Sequence, residues 1–243
     1  MAAPEITSFK DAALEWQGEP GTVGNGGTWS VNEQEELVIS PAEQRDYWSR
    51  TFYEPCLRKF DGQALLANVP GDAEATLSLA FTFSPRAQFD QAGAFIRVDD
   101  DTWCKAGIEF CDGAPRLSCV VCNGHADWST QRWPVWDAAA GTTTLRIRVH
   151  KLLPGGPGSE QGPCLVMEAA PYVPGDGPDS KLSSFEFVRI ASLRSGNKPW
   201  GMGPFSFCPV EQKGCSVTFH YMKLGSKEKP VHEGDSSMMT SNT

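Results

Sequence analysis

Residues 91–110 read QAGAFIRVDDDTWCKAGIEF, two runs of alternating residues that flank three successive aspartates. Successive side chains of a β-strand point to opposite faces of the sheet, so each run has one apolar and one mixed face. The apolar faces consist of Ala92, Ala94, Ile96 and Val98 in the first run, and of Cys104, Ala106, Ile108 and Phe110 in the second. This pattern predicts an antiparallel hairpin that turns one face into a hydrophobic core.

Because both apolar sets must share the core, the pattern also predicts the register of the hairpin. The expected cross-strand pairs are Val98 with Cys104, Arg97 with Lys105, and Gly93 with Glu109, joined by a turn over Asp99–Trp103. Like charges placed directly opposite one another destabilise a sheet unless an anion or a carboxylate lies between them. Arg97 and Lys105 therefore require such a group, and Glu109 on the same face can supply it.

A third strand extends the polar face of this hairpin. After the turn at Cys111–Arg116, alternation points Leu117, Cys119 and Val121 inward and brings Ser118 out beside Glu109. The predicted polar cluster consists of Gln91, Arg97, Lys105, Glu109 and Ser118. The alternative is an ordinary solvated face on which the charges only balance one another.

The rest of the chain predicts an all-β fold. Its 243 residues include 24 glycines and 18 prolines, which punctuate short segments rich in Val, Ile, Phe and Trp. The predicted strands are Leu37–Ile39, Ala64–Asn68, Ala75–Phe83, Ala92–Val98, Trp103–Phe110, Leu117–Asn123, Thr143–Lys151, Leu165–Ala170, Phe185–Leu193, Met202–Cys208 and Cys215–Lys223. About eleven strands indicate a sandwich of two stacked sheets. Helices are expected at most at Pro41–Arg45 or, as an alternative to a strand, at Glu186–Leu193.

One domain is expected over residues 1–224. Pro154–Pro163 and Pro174–Ser180 are too rich in Gly and Pro for element interiors, and they are predicted as loops. Residues 225–243 contain no aromatic side chain and little periodicity, so burial could not offset their ordering entropy. They are predicted to form a disordered tail.

The acidic composition excludes several classes of partner. With 30 acidic against 21 basic residues, the formal charge of −9 does not attract phosphate backbones or an anionic membrane surface. The N-terminus lacks the features of a secretion signal, and no segment approaches the roughly 20 apolar residues that a membrane span needs. We therefore expect a soluble cytoplasmic protein that binds neither nucleic acid nor membrane, with its eight cysteines as free thiols.

Two aromatic segments are candidates for ligand contact. They are Arg45–Tyr53 (RDYWSRTFY) and Asn123–Trp136 (NGHADWSTQRWPVW). Both combine tryptophans with short polar residues, namely Asp46 and Thr51 in the first, and Asp127 and Ser129 in the second. Indole rings flanked by such groups stack on a sugar ring and hydrogen-bond its hydroxyls. The alternative is that most of the eight tryptophans fill the sandwich.

Five motifs carry a resemblance to a known family. They are RDYWSRTFY (Arg45–Tyr53), FDQAG (Phe89–Gly93), VDDDTWCKAGIEF (Val98–Phe110), GAPRLSCVVCNGHADWS (Gly113–Ser129) and WGMGPFSFCP (Trp200–Pro209). They resemble the regulation-of-enolase-like proteins, small cytosolic proteins with a domain of unknown function. The resemblance spans about Ile6–Leu224. It implies the concanavalin A-like lectin/glucanase jelly-roll β-sandwich of two curved antiparallel sheets, with the polar cluster on the concave one.

The resemblance also implies a regulatory link to a glycolytic enzyme such as enolase, and a characteristic set of residues. That set consists of Asp46, Trp48, Thr51, Gln91, Asp99, Trp103, Lys105, Glu109, Asp127 and Trp128. Combined with the face assignment, it predicts a ligand site made of Asp46, Trp48, Thr51, Gln91, Arg97, Trp103, Lys105, Glu109, Ser118, Asp127 and Trp128. In this site Trp48, Trp103 and Trp128 would stack, and Arg97 and Lys105 would hold any carboxylate or phosphate. The longer loops after Lys151 and Tyr172 depart from the family pattern.

Catalysis is the alternative to simple binding. Related glucanases carry Glu-x-Asp-x-Glu on one strand, whereas Cys111 follows Glu109 at that spacing here. Hydrolysis of a glycoside needs a second carboxyl within roughly 5–9.5 Å, and Asp46 or Asp127 could supply it only from a loop folded over the sheet. Lys105 beside a second cation is the candidate base of a lyase or isomerase.

Neither a metal nor a cofactor is predicted. Cys119 and Cys122 have the C-x-x-C spacing of zinc ligands, but in a strand they point to opposite faces, and no second pair follows. The run Asp99–Asp101 is acidic enough for calcium, yet a tight turn capped by Asp explains it with fewer assumptions.

The sequence therefore predicts a non-catalytic protein that binds a carbohydrate or another polyhydroxylated metabolite on its concave sheet. The alternatives are a protein-interaction module with a vestigial pocket, and a glycoside hydrolase or sugar lyase that uses Glu109 and Lys105.

Overall fold

The computed structural model describes residues 1–153, 161–173, 175–181, 187–210 and 214–231. These residues form sixteen β-strands and no helix, which confirms the predicted all-β class. In chain order the strands are β1 (Leu14–Gln17), β2 (Thr28–Val31), β3 (Leu37–Ser40), β4 (Tyr47–Ser49), β5 (Arg58–Phe60), β6 (Gln63–Val69), β7 (Ala75–Ser84), β8 (Gln91–Asp99), β9 (Thr102–Cys111), β10 (Ala114–Asn123), β11 (Ala126–Arg132), β12 (Thr143–Leu152), β13 (Cys164–Ala170), β14 (Phe187–Ser192), β15 (Trp200–Phe207) and β16 (Ser216–Gly225).

Two seven-stranded antiparallel sheets form the sandwich. The front sheet has the order β1-β6-β15-β8-β9-β10-β11, and the back sheet has the order β14-β13-β12-β7-β16-β3-β2. The strands β4 and β5 pair separately as a two-stranded hairpin. The predicted sandwich of two stacked sheets is therefore confirmed.

The hydrophobic core lies between the two sheets and follows the alternation of the strands. On β7, in the back sheet, Leu77, Leu79, Phe81 and Phe83 are fully buried. The front sheet contributes to the same core the side chains that alternation predicted to point inward. They are Ala92, Ala94, Ile96, Cys104, Ala106, Ile108, Leu117, Cys119 and Val121. Since burying one Leu or Phe side chain stabilises a fold by roughly 1.5–3 kcal/mol, this shared interior determines which face each strand turns inward.

The predicted register of the hairpin is wrong by two residues, although its face assignment is correct. The observed pairs are Phe95 with Lys105, Gln91 with Glu109, Gly93 with Gly107, and Arg97 with Trp103. The register shifts between Arg97 and Asp99, which leaves the turn itself only Asp100 and Asp101. Such a bulge leaves one residue unpaired, here Val98. Arg97 and Lys105 are therefore not opposite one another.

Both helix interpretations are wrong. Pro41–Arg45 is irregular, and its Glu43 and Arg45 form isolated bridges with Cys208. In the second segment Phe187–Ser192 form strand β14, as the alternative interpretation predicted, and Glu186 lies outside the described residues. Five short or weakly alternating strands, β1, β2, β4, β5 and β11, escaped prediction because three to seven residues give little periodicity.

The two ends of the described chain meet at the back of the sandwich. Ile6 and Leu224 exchange backbone hydrogen bonds of 2.8 and 2.9 Å, and the Glu5 carboxylate accepts bonds from Ser226. Strand β16 continues to Gly225, the first residue of the predicted tail. Residues 232–243 of that tail, and residues 154–160 and 174 of the predicted loops, lie outside the described residues.

The outer face of the front sheet is covered by residues 42–62, called the cover segment below. Its Tyr47 is fully buried and lies with ring centroids 4.7 Å from Phe95, 5.7 Å from Trp103 and 5.7 Å from Phe207. These rings form the centre of a second apolar cluster, separate from the core between the sheets. The front sheet is therefore buried on both faces over its middle strands.

Two glycines face each other beneath the cover segment, Gly93 on β8 and Gly107 on β9. A Cβ atom added to Gly107 would lie 2.1 Å from the carbonyl oxygen of Ala92 and 2.7 Å from the Cα of Gly93. Both of these are backbone atoms that cannot move without separating the strands. The glycine pair thus allows β8 and β9 to approach closely at the centre of the front sheet.

Replacing Gly107 with alanine is expected to lower the free energy of unfolding by roughly 1–3 kcal/mol, the usual cost of overpacking a filled site. The measurement is urea unfolding of the full chain, followed by circular dichroism. Gly162→Ala is the matched control, because a Cβ atom there would meet no atom within 4 Å. Equal unfolding midpoints for the two variants would contradict the close approach of β8 and β9.

Candidate ligand-binding site

A cavity of about 230 Å³ lies between the cover segment and the outer face of the front sheet. Its wall combines four aromatic rings with three charged side chains and a few aliphatic groups. The lining residues are Asp46, Trp48, Tyr53, Leu57, Phe89, Lys105, Glu109, Trp128, Pro209 and Val210. The cover segment, the edge of β8, the strands β9 and β11, and the chain after β15 all contribute to it.

The four aromatic rings form a closed box. Trp48 and Tyr53 have ring centroids 5.3 Å apart, and Tyr53 and Phe89 follow at 6.4 Å. Phe89 and Trp128 are 6.4 Å apart, and Trp128 closes the ring with Trp48, also at 6.4 Å. All four pairs meet edge to face, at interplanar angles between 67° and 82°. Each ring therefore stands as one wall of the box, nearly perpendicular to its neighbours.

The floor of the cavity contains a buried ion pair. Lys105 Nζ lies 2.7 Å from Asp46 Oδ1, and the two side chains are only 3% and 11% exposed. Gln91 donates to the same carboxylate oxygen at 3.3 Å. The backbone of Asp46 is fixed by Asp61 and Gly62, whose amides both donate to the Asp46 carbonyl at 3.1 Å. The pair thereby links the cover segment to the centre of β9.

Beside this pair, Glu109 is held by two donors. Ser118 Oγ donates to Glu109 Oε2 at 2.6 Å, and Trp128 Nε1 donates to the same oxygen at 2.9 Å. Burial raises the pKa of the Glu109 carboxyl, the nearby Lys105 ammonium opposes this shift, and the negative charge of Asp46 adds to it. Glu109 is therefore a carboxyl group that retains its proton to a higher pH than an exposed glutamate does.

Seven of the eleven predicted site residues come together at this cavity or directly beneath it. They are Asp46, Trp48, Gln91, Lys105, Glu109, Ser118 and Trp128. Alternation assigned Gln91, Lys105, Glu109 and Ser118 to one face, whereas Asp46 was predicted from the aromatic segment and the family resemblance. The contact predicted between Ser118 and Glu109 is present.

The other four predicted residues lie elsewhere. Trp103 is fully buried under Tyr47 and has no surface for a ligand to stack on. Arg97 points away toward the β8–β9 turn, where it pairs with Asp100 at 2.7 Å. Thr51 and Asp127 border a shallower depression on the outer side of the aromatic box. The predicted roles of Trp103 as a stacking platform and of Arg97 as an anion contact are thus not compatible with this geometry.

Several lining residues were not predicted. Tyr53 and Phe89 lie within the quoted motifs RDYWSRTFY and FDQAG, so their aromatic side chains were the available signal. Pro209 ends the quoted motif WGMGPFSFCP, whereas Leu57 and Val210 lie outside all quoted motifs and gave no signal.

The cysteines with zinc-like spacing and the aspartate run lie in different surroundings. Cys119 faces the core between the sheets, whereas Cys122 belongs to the apolar cluster on the opposite face. The carboxylates of Asp99–Asp101 bind basic side chains instead of converging on one point, since each is in salt-bridge contact with one or two of Lys198, Arg97, Arg50 and Arg58.

Two sequence comparisons relate the chain to known proteins. A family model described as "Protein of unknown function (DUF1349)" matches residues 24–154, which include most of the cavity. The protein named Regulation of enolase protein 1 of Saccharomyces cerevisiae is 36% identical over 204 residues, 82% of this chain and 88% of the yeast protein. An uncharacterized protein of Emericella nidulans is 29% identical over 117 residues, 46% of this chain and 56% of that protein.

Solved structures show the same fold. A crystal structure of a functionally unknown protein from S. cerevisiae matches with a TM-score of 0.69 at 25% identity, covering 91% of this chain and 100% of that one. The GH43B protein of Bacteroides ovatus matches with a TM-score of 0.58 at 12% identity, over 89% of this chain but 37% of its own length. That likeness concerns the fold alone. The sequence matches decide the family: this chain belongs to the DUF1349 family and is related to the protein of yeast named Regulation of enolase protein 1.

Proposed function

We propose that the protein binds, without transforming it, a small polyhydroxylated ligand the size of one sugar ring. The observation that supports this proposal best is the aromatic box above a hydrogen-bonded carboxyl group and a buried ion pair. Aromatic walls contact the C–H faces of a sugar, while a few fixed polar groups orient its hydroxyls. A volume of about 230 Å³ is below the usual size of pockets for drug-sized ligands, which favours a single ring.

The polar groups of the cavity favour a neutral ligand over an anionic one. Lys105 already pairs with Asp46, so an incoming carboxylate or phosphate would have to compete with a buried partner at 2.7 Å. Arg97, the second cation expected to bind an anion, pairs with Asp100 outside the cavity. A sugar hydroxyl can instead accept from the Glu109 carboxyl when it is protonated, and donate to Asp46.

A catalytic role is the second candidate, and the raised pKa of Glu109 favours it. A buried carboxyl that keeps its proton can act as a general acid, and Asp46 supplies a second carboxylate in the same cavity. Because Asp46 is tied to Lys105 and Gln91, we rank binding above hydrolysis. Turnover of a glycoside panel that is lost in Glu109→Gln would reverse this order.

The ligand proposal predicts that neutral monosaccharides raise the melting temperature of the full chain and change its tryptophan fluorescence. Trp128→Ala should weaken this binding about 5- to 13-fold, since a lost aromatic contact costs roughly 1–1.5 kcal/mol. Trp29→Ala is the control, because Trp29 lies on β2 of the back sheet, away from the cavity.

The panel should also contain sugar phosphates and choline. An aromatic box attracts quaternary ammonium groups as well as sugar rings. If choline alone binds, the box holds a cation and the sugar proposal is wrong. Equal affinity of the Trp128→Ala and Trp29→Ala variants for a sugar would place that ligand outside the box.

The protonation of Glu109 predicts a pH dependence of stability. The pKa of Glu109 in the folded protein lies above the ordinary glutamate value of 4.5, so folding takes up a proton between these two values. Wild type therefore loses stability as the pH rises through this window. The free energy of unfolding of Glu109→Gln, relative to wild type, should therefore increase with pH above 4.5, until Glu109 is ionised in the folded protein.

Urea unfolding of both proteins at several pH values measures this difference. The glutamine side chain keeps an oxygen that accepts from Ser118 and Trp128, so the main change is the loss of the ionisable group. Glu33→Gln, at an exposed position, is the control. A difference between Glu109→Gln and wild type that is constant over this range would show that Glu109 is ionised like an exposed glutamate.

The name of the yeast relative supports a further proposal, that the protein acts on a glycolytic enzyme such as enolase. Purified enolase is then expected to be retained by the immobilised full chain. Retention by a Lys105→Ala/Glu109→Ala variant would separate the protein contact from the ligand cavity. No retention by wild type, with or without a bound sugar, would remove enolase as a direct partner.

A further inference from the structure

A group of three potential metal ligands lies in the interior, apart from the cavity. Asp90 directly precedes β8, Cys208 directly follows β15, and Cys215 directly precedes β16. The two front strands and the one back strand thus bring the three side chains together at one end of the sandwich. Among the described residues, this is the group of His, Cys, Asp and Glu side chains whose ligand atoms converge.

The geometry of this group is close to that of a coordination site. The Asp90 carboxylate oxygen and the two sulfur atoms all lie within 4.8 Å of one another. The three residues are 0%, 1% and 2% exposed, respectively. Ligand sulfurs around a tetrahedral zinc ion lie about 3.8 Å apart, so small side-chain movements of about 1 Å would suffice.

The state of Asp90 is the second observation. Its Oδ2 accepts the amides of Arg86 and Ala87, both at 2.8 Å, whereas its Oδ1 has no hydrogen-bond partner among the described residues. A buried carboxylate oxygen without a partner is costly. Ser206 Oγ, on the adjoining end of β15, is likewise buried without a partner. Neither oxygen forms a hydrogen bond of ordinary geometry, and the groups nearest to them are the thiols: Cys208 interacts with Asp90, and Cys215 interacts with Ser206.

We propose that Asp90, Cys208 and Cys215 bind one divalent ion of the zinc class. Two thiolates and a carboxylate are a donor set that zinc accepts, and their three negative charges offset the charge of the ion in a buried site. The two amides on Oδ2 orient the carboxylate so that Oδ1 points toward the metal, which is the usual task of outer-shell partners. The Ser206 hydroxyl and the Val210 carbonyl, 3.6 Å from Cys208 Sγ, border the site as sources of a fourth ligand.

The core contains an internal comparison for this proposal. Cys104 Sγ and Cys119 Sγ are 3.9 Å apart, and both contact the Met167 sulfur at 3.8–3.9 Å. This second sulfur group is surrounded by aliphatic side chains and includes no carboxylate. This second sulfur group therefore tests whether two neighbouring thiols bind a metal ion without a carboxylate.

The experiment is a titration of the reduced full chain with Co²⁺, followed by displacement with Zn²⁺. Binding of one Co²⁺ per chain with sulfur-to-metal charge-transfer absorption is expected. Cys215→Ser and Asp90→Asn should each weaken binding at least as much as the 10–100-fold that loss of an outer-shell group costs. Cys119→Ala, in the second sulfur group, should bind Co²⁺ like wild type.

Circular dichroism of each variant shows whether it is folded, and only folded variants are compared. Absence of the charge-transfer band in wild type would overturn the proposal. So would an unchanged band in a folded Cys208→Ser/Cys215→Ser variant, because the metal would then bind elsewhere. Sugar binding and metal binding are measured separately, so failure of one proposal leaves the other testable.

Discussion

The buried ion pair between Lys105 and Asp46 is the contact on which the front of the molecule depends. At 2.7 Å, and with side chains 3% and 11% exposed, it is almost fully withdrawn from water. Removing one member of such a pair typically costs roughly 3–5 kcal/mol, because the remaining charge stays buried without a partner. The pair fixes the start of the cover segment to the middle of the sheet. Two walls of the aromatic box, Trp48 and Tyr53, are set in place by that attachment.

Burying the polar residues under the cover segment carries a desolvation penalty, so packing alone does not explain their presence. A sheet buried on both faces is usually apolar on both. Here the second face buries Gln91, Lys105, Glu109 and Ser118, which satisfy one another and Asp46 through short hydrogen bonds. Apolar side chains of similar size would serve packing equally well. The polar floor under aromatic walls is therefore the feature on which the proposed ligand site rests.

The sequence determines strand phase well and long-range contacts poorly. Alternation assigned Lys105 and Glu109 to one face because a period of two is a local property of the chain. The register failed because the bulge after Arg97 has no marker in an unbroken alternating run. Trp103 was expected at the surface, because the residues around it in the sequence do not indicate that Tyr47 buries it. Tyr47 lies more than fifty residues earlier in the chain. Phe89 and Tyr53 could be read from motifs, whereas Val210 required the folded chain.

The position of β15 has a consequence for how the protein is made. This strand is next to last in the sequence, yet it lies between β6 and β8 and pairs with both. While the chain emerges from a ribosome, the front sheet therefore remains in two halves with open edges until residue 207 is available. Phe205 and Phe207, which support Tyr47 and Phe95, arrive with it. The site can thus form only after β15 has been synthesised, and chains that end before β15 would carry exposed strand edges prone to aggregation.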